Sequence, residues 1–274
     1  MFENIKQVLK EQIEYRDLIF RMAMFENKGM YQIHYLGSFW QFLSPAIQIA
    51  IFWFVFGTIR GGAPVDGTPF FLWLIIGLIP WFFISPALIQ GSNSVHQKIS
   101  LVSQMNFPVS LLPSIRIVGN SIQFIVMLCI LGLITILYGI KPTIYLVQLI
   151  YYLVCLYAFL FSFTILSSTI STLIRDYQVA LQSFMRMLLY LTPILWDMSM
   201  ISEKFGEVGY IIENILKLNP LFYIIEGFRD AILGRAWFFE DMVYTGYFWL
   251  LTLCILYFGT KIHMKFRKDF MDYI

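Results

Sequence analysis

FFLWLIIGLIPWFFISPALIQG, residues Phe70–Gly91, runs without a single Asp, Glu, Lys or Arg. It is long enough for an α-helix to cross the roughly 30 Å hydrocarbon core, which takes about 20 apolar residues. Its apolar residues are continuous rather than alternating, so a helix is expected and a barrel strand is not. Working outward, comparable stretches lie at Phe39–Ile59, Ile115–Ile140, Ile144–Ile174, Ala180–Trp196 and Met242–Ile262. The expected fold is an all-α integral membrane protein with six transmembrane helices. Composition agrees: 59% of the 274 residues are hydrophobic and 13% charged, and the mean hydropathy is +0.72. A soluble domain carries roughly 25% charged residues, so lipid must be the solvent for much of this chain.

The cationic residues orient the bundle. With the N-terminus inside, one face receives only Arg60, Lys141, Lys204, Lys217, Arg229 and Arg235, and the other holds the remaining 13 of 19. The positive-inside rule then puts both termini in the cytoplasm, in a multi-pass protein of the cell membrane. MFENIKQVLKEQIEYRD at the N-terminus is too polar for a cleavable signal peptide, and none is expected. A net charge of +2 gives no reason to expect nucleic acid. Cys129, Cys155 and Cys254 sit in apolar runs and read as small hydrophobes. His34, His96 and His263 are too scattered for a metal site, and none is expected.

Residues 1–30 have a pattern of their own, and 31–274 form the membrane domain. Phe2, Ile5, Leu9 and Ile13, then Leu18, Met22 and Phe25, recur at helical spacing with charges largely between them. An amphipathic helix in the cytoplasmic interface is expected, a solvated helical tail being the alternative. Between the last two long spans, 208–218 and 220–233 are apolar but too short to cross. Asn219-Pro220 should cap and start a helix there, and Gly234 should close it. Two outer re-entrant half-helices are expected; an ordinary extracellular hairpin is the alternative.

Every proposed span has a core without charge, Arg186 lying near an end. Ion-coupled transport usually places charges there. The energy source is therefore expected outside the membrane, yet no G-x-x-x-x-G-K-[ST] loop occurs. A separate ATPase is the economical answer, and catalytic residues are not expected in this chain. Residues 92–107, SNSVHQKISLVSQMNF, are polar and end at Pro108. They read as a short coupling helix, or else a loop, offering Ser92, His96, Lys98, Ile99, Val102 and Met105. Arg175 and Asp176 give a second candidate contact. Aromatic residues make up 18% of the chain and most read as interfacial belts. Tyr35, Trp40, Phe52, Tyr190 and Trp196 are candidates for a substrate path, since aromatic faces stack on sugars.

Two stretches carry a resemblance. YLGSFWQFLSPAIQIAIFWFVFG, Tyr35–Gly57, is similar to the first-span signature of type-2 ABC (ABC-2) export permeases. LNPLFYIIEGFRDAILG, Leu218–Gly234, resembles their C-terminal signature. The nearest likeness is to polysaccharide exporters, first the wall teichoic acid translocation permeases and then the O-antigen permeases. The resemblance implies a homodimer with two copies of a separate ABC ATPase subunit. ATP and Mg would bind to that subunit, with no cofactor in this chain. It also implies ATPase docking on the helix after the second span, and an outer gate shaped by Asn219, Pro220, Glu226, Arg229 and Asp230. The expected cargo is wall teichoic acid linked through diphosphate to undecaprenyl. Lys28, Arg116, Arg175 and Arg186 are candidates to attract the diphosphate. A drug or lipid exporter of the same fold is an alternative. A polyprenyl-phosphate transferase is disfavoured, because Asp176 is the only acidic residue in the two cytoplasmic loops between spans.

Overall fold

The computed structural model describes residues 3–31, 35–59, 61–98, 107–174, 176–198, 200–201 and 206–267. Among these residues the helices run α1 Glu3–Glu14, α2 Arg16–Tyr31, α3 Trp40–Ile59, α4 Phe70–Ser92 and α5 Ser94–Gln97. They continue with α6 Leu111–Leu137, α7 Gln148–Leu173, α8 Tyr177–Leu191, α9 Glu207–Lys217, α10 Pro220–Leu233 and α11 Met242–Phe266. Five are long and apolar enough to cross a membrane: α4, α6, α7, α11, and α3 with the single turn before it. The pair α9 and α10 meets the same test jointly but bends by 97° at its break.

α4 is the centre of the bundle. Its apolar residues point all round, and the helix is buried from Phe70 to Ser92 except for Phe71, Phe82, Ser85, Pro86, Ile89 and Gln90. A helix apolar on every side is stable only when surrounded by other helices or lipid. Here α6, α7, α8 and α10 surround it, with Phe83 stacked on Phe124 at 4.5 Å between ring centres. α3 is the opposite case. Ile47, Ile51, Phe54 and Ile59 are exposed, so this apolar helix leaves its outer face uncovered by the rest of the chain.

The fifth expected span needs correcting. α8 ends at Leu191 rather than at Trp196, and 15 residues rise only about 22 Å. The cause is Pro193: it has no N–H, and it forces Thr192 before it into extended geometry (φ −73°, ψ 133°). Thr192, Ile194 and Leu195 nevertheless stay buried.

The N-terminal region also differs from a single interfacial helix. It forms two helices that meet at Tyr15, and the expected stripe divides: Leu18 and Met22 pack inward, with residues outside the stripe beside them. Val8, Ile19 and Ala23 are buried, while Leu9, Ile13 and Phe25 face outward. Ile19 and Ala23 pack on Val95, Val109, Leu111, Leu112 and Ile115, which ties α2 to α5 and the start of α6. Phe2 lies outside the described residues.

Candidate functional site

Three places concentrate polar side chains. The first surrounds α10. Asn219 accepts from the Leu221 N–H at 3.0 Å, Pro220 occupies the first turn, and Gly234 closes the helix at φ 69°. Arg229, halfway along, is completely buried. Its guanidinium donates to the Pro193 carbonyl at 2.7 Å and the Ile194 carbonyl at 3.2 Å, and pairs with Glu226 one turn earlier. It also lies 3.6 Å from the Trp73 ring centre. The carbonyls it meets belong to the segment where Pro193 breaks α8. Buried as they are, such groups have no water to turn to. Arg229 therefore supplies the donors that a continuing helix would have supplied.

Glu226 and Asp230 line a cavity of about 480 Å³ together with Asp66, Asp197, Glu240 and Asp241. Arg235 pairs with Asp66 at 3.3 Å across it. The end of α8, the start of α11 and the turn before α4 thus share one end of the molecule. The five expected gate residues are all near this end. Arg229 joins Glu226 within the chain, and Asn219 donates to Thr192 at 2.8 Å.

The second place is at the opposite end of α4. Ser92 is buried, and its hydroxyl donates to Gln178 at 2.8 Å, while Gln178 donates to the Ile89 carbonyl at 2.9 Å. This joins the chain after the second span to the start of α8, next to Asp176. Glu26 of α2 receives both Lys98 and Arg116, the latter at 3.1 Å, and Arg116 also reaches Gln97 at 3.1 Å. Burial and the neighbouring Arg116 charge hold the Lys98 amine below its ordinary pKa. Glu11 takes Arg267 at 2.6 Å and the Ser110 hydroxyl. Arg116 is thus committed to a carboxylate, whereas Lys28 and Arg186 are exposed. Of the expected coupling helix, 92–107, the described residues include one helical turn, Ser94–Gln97, with His96 exposed. Ile99, Val102, Met105 and Arg175 lie outside the described residues.

The third place was not anticipated from the sequence. A groove of about 400 Å³ lies between α3, α4, α6 and α8. It is lined by the amides of Gln41, Gln48, Gln90, Asn120, Gln123 and Gln182, with Trp40, Trp81 and Arg186. Of the five aromatic path candidates it takes Trp40 alone. Tyr35 is fully exposed, Phe52 packs beside Phe56, and Trp196 donates to the Tyr190 carbonyl at 2.8 Å. The amides had one signal in the sequence: they interrupt apolar runs where a side chain needing hydrogen bonds is costly. On the other flank of α3, Phe42, Ala46, Ile49 and Trp53 face a purely apolar groove with Ile75 and Met127.

The family described as ABC-2 type transporter matches residues 17–233. An O-antigen export system permease protein RfbA of Myxococcus xanthus is 24% identical over 223 residues, 81% of this chain and 83% of that protein. A protein of the same name from Klebsiella pneumoniae is 24% identical over 258 residues, 93% of this chain and 94% of its own length. A second Klebsiella pneumoniae relative with that name is 23% identical over 92% of this chain and 94% of its own length.

Proposed function

This chain belongs to the ABC-2 type transporter family, and on that premise we propose that it carries a lipid-linked polysaccharide of the O-antigen class outward across the membrane. It is a membrane-located permease, and the family implies a partner ATPase. The observation that carries the reading is that relatives aligned over nearly the whole chain bear O-antigen export in their names. O-antigen export therefore takes precedence over the teichoic acid cargo expected from the sequence. The diphosphate and polyprenyl anchor of that cargo belong to the same proposal.

The working unit is two copies of this chain with two ATPase subunits. Both termini are cytoplasmic, and the ATPase meets the Ser94–Gln97 turn and the neighbourhood of Asp176. ATP binding there shifts α5, and the shift passes through Glu26 and Ser92 to α2, α4 and α8. A rigid-body movement biased by a ligand needs only such differential contacts. The fifth crossing is made by α8 together with the turn that follows it, residues 192–197. A 15-residue helix rises only about 22 Å, so the crossing depends on this buried turn and on Arg229 beneath it to complete it. α9 and α10 then stay at the outer end, beside Asp66 and Asp241.

The test is transport. Proteoliposomes holding the permease and its ATPase should move undecaprenyl-diphosphate-linked polymer only while ATP is hydrolysed. Polymer movement undiminished by an ATPase with its catalytic glutamate removed would sink the proposal.

A further inference from the structure

We propose that the amide-lined groove between α3, α4, α6 and α8 is where this permease holds the sugar part of its cargo, with Arg186 at the rim facing the diphosphate. The inference rests on the polysaccharide-export reading above and names its binding site. Six primary amides from four helices meet at one cavity, while no carboxylate lines it. Amides placed among apolar spans are costly unless each finds a partner or the site is wet. Some of the cost is met internally. Asn120 donates to Gln90 at 3.1 Å and to the Arg116 carbonyl at 2.9 Å, and Gln41 donates to Asn27 at 3.1 Å.

Those bonds leave the Asn120 carbonyl oxygen, the Gln90 amino group and the whole Gln182 amide as groups for a ligand. Each amide both donates and accepts, which is what a sugar hydroxyl does. Trp40 and Trp81 add flat apolar faces of the kind that sugar rings stack on. Charged lining would suit a charged solute, and the apolar groove on the other flank of α3 would suit a hydrocarbon. A neutral polyol fits the amide groove alone. Its volume of about 400 Å³ falls in the roughly 300–1,000 Å³ range of small-molecule sites. A short stretch of polymer is therefore held at a time.

Gln90 lies two residues before Ser92 and Gln182 four residues after Gln178, so with cytoplasmic termini the groove lies on the loading side. Arg186 is exposed there, its guanidinium donating to Ser183 at 3.1 Å. A cation at that rim meets the anionic link between sugar and lipid. The remaining amide chain, Asn27 to Gln41 and Gln123 to the Gln41 carbonyl, joins the groove to α2.

The experiment is photo-crosslinking in the exporting cells, using the cell's own polymer. A benzophenone side chain replaces Gln182, Gln123 or, as a control at an exposed position remote from the groove, Val243. Irradiation should give a glycan-reactive ladder above the permease band at 182 and 123 and none at 243. Gln182→Leu should lower the surface polymer by roughly fivefold to tenfold, as loss of one or two hydrogen bonds implies, with unchanged permease in the membrane. Gln182→Asn should restore part of it. Absence of adducts at 182 and 123 in cells that still export through this permease overturns the groove assignment and leaves the export reading intact. An equal ladder at 243 overturns it too. If deleting the permease leaves the surface polymer unchanged, the export reading itself fails, and the groove assignment with it.

Discussion

Arg229 carries its guanidinium at 0% exposure, between the ring of Trp73 and the carbonyls of Pro193 and Ile194. Replacing it by leucine strands two buried acceptors, each worth about 1–3 kcal/mol. Arg229→Leu is expected to lower the stability of the detergent-solubilised permease by roughly 2–5 kcal/mol, read as thermal unfolding. An unchanged midpoint would show that water or lipid satisfies those carbonyls. Gly77 belongs to the same contact, because a Cβ there would sit 2.7 Å from Arg229 Nη2. Gly77→Ala should cost about 1–3 kcal/mol in the native protein, and clearly less once Arg229 is leucine, since the two changes act on one contact. Strictly additive losses would refute the shared contact. Asn219, Pro220 and Gly234 were legible beforehand, because capping depends on a few neighbouring residues. The partnership of Arg229 with Trp73 and Gly77 was not, because it joins residues that are distant in sequence and meet only when α4 and α10 pack.

Among the elements, α2 and α8 depart furthest from local pattern. The apolar stripe of α1 and α2 was legible, but its direction only in part: Leu18 and Met22 pack inward beside Ile19 and Ala23, while Ile13 and Phe25 stay outside. Periodicity locates the faces of a helix without saying which of two apolar surroundings each will meet, protein or lipid. α2 is held to α5 and α6 through Glu26, which takes Lys98 and Arg116. A double-mutant cycle of Glu26→Gln with Arg116→Gln should give a coupling of about 1 kcal/mol, since the pair is partly solvated and screened. Under the proposed transmission the same variants should hydrolyse ATP with less polymer moved per ATP. Full export with zero coupling energy would remove Glu26 from the path. In α8 the span was recognisable from composition, whereas the helix stops short at Leu191 because of Pro193.

For the whole molecule, the proposed topology places residue 200 and residue 240 on the same outer side. In a cysteine-free background, Met200→Cys and Glu240→Cys should both react with a membrane-impermeant maleimide added to intact cells. Labelling of residue 240 alone would mean that α9 and α10 form the crossing instead. The sequence by itself determined that the chain lives in lipid, that its long segments are helices and that charge is excluded from their cores. These follow from the bilayer as solvent, which acts on each segment separately. Tertiary structure decided which residues do something with that frame. It set Gln182 of α8 beside Gln90 of α4 and Trp40 of α3, and it brought Arg229 to the carbonyls freed by Pro193. It also left the Phe70–Gly91 helix almost wholly enclosed while α3 is left open on its outer face. Two equally apolar segments look alike until packing encloses one and leaves the other open, because hydrophobicity has no direction and contact geometry does.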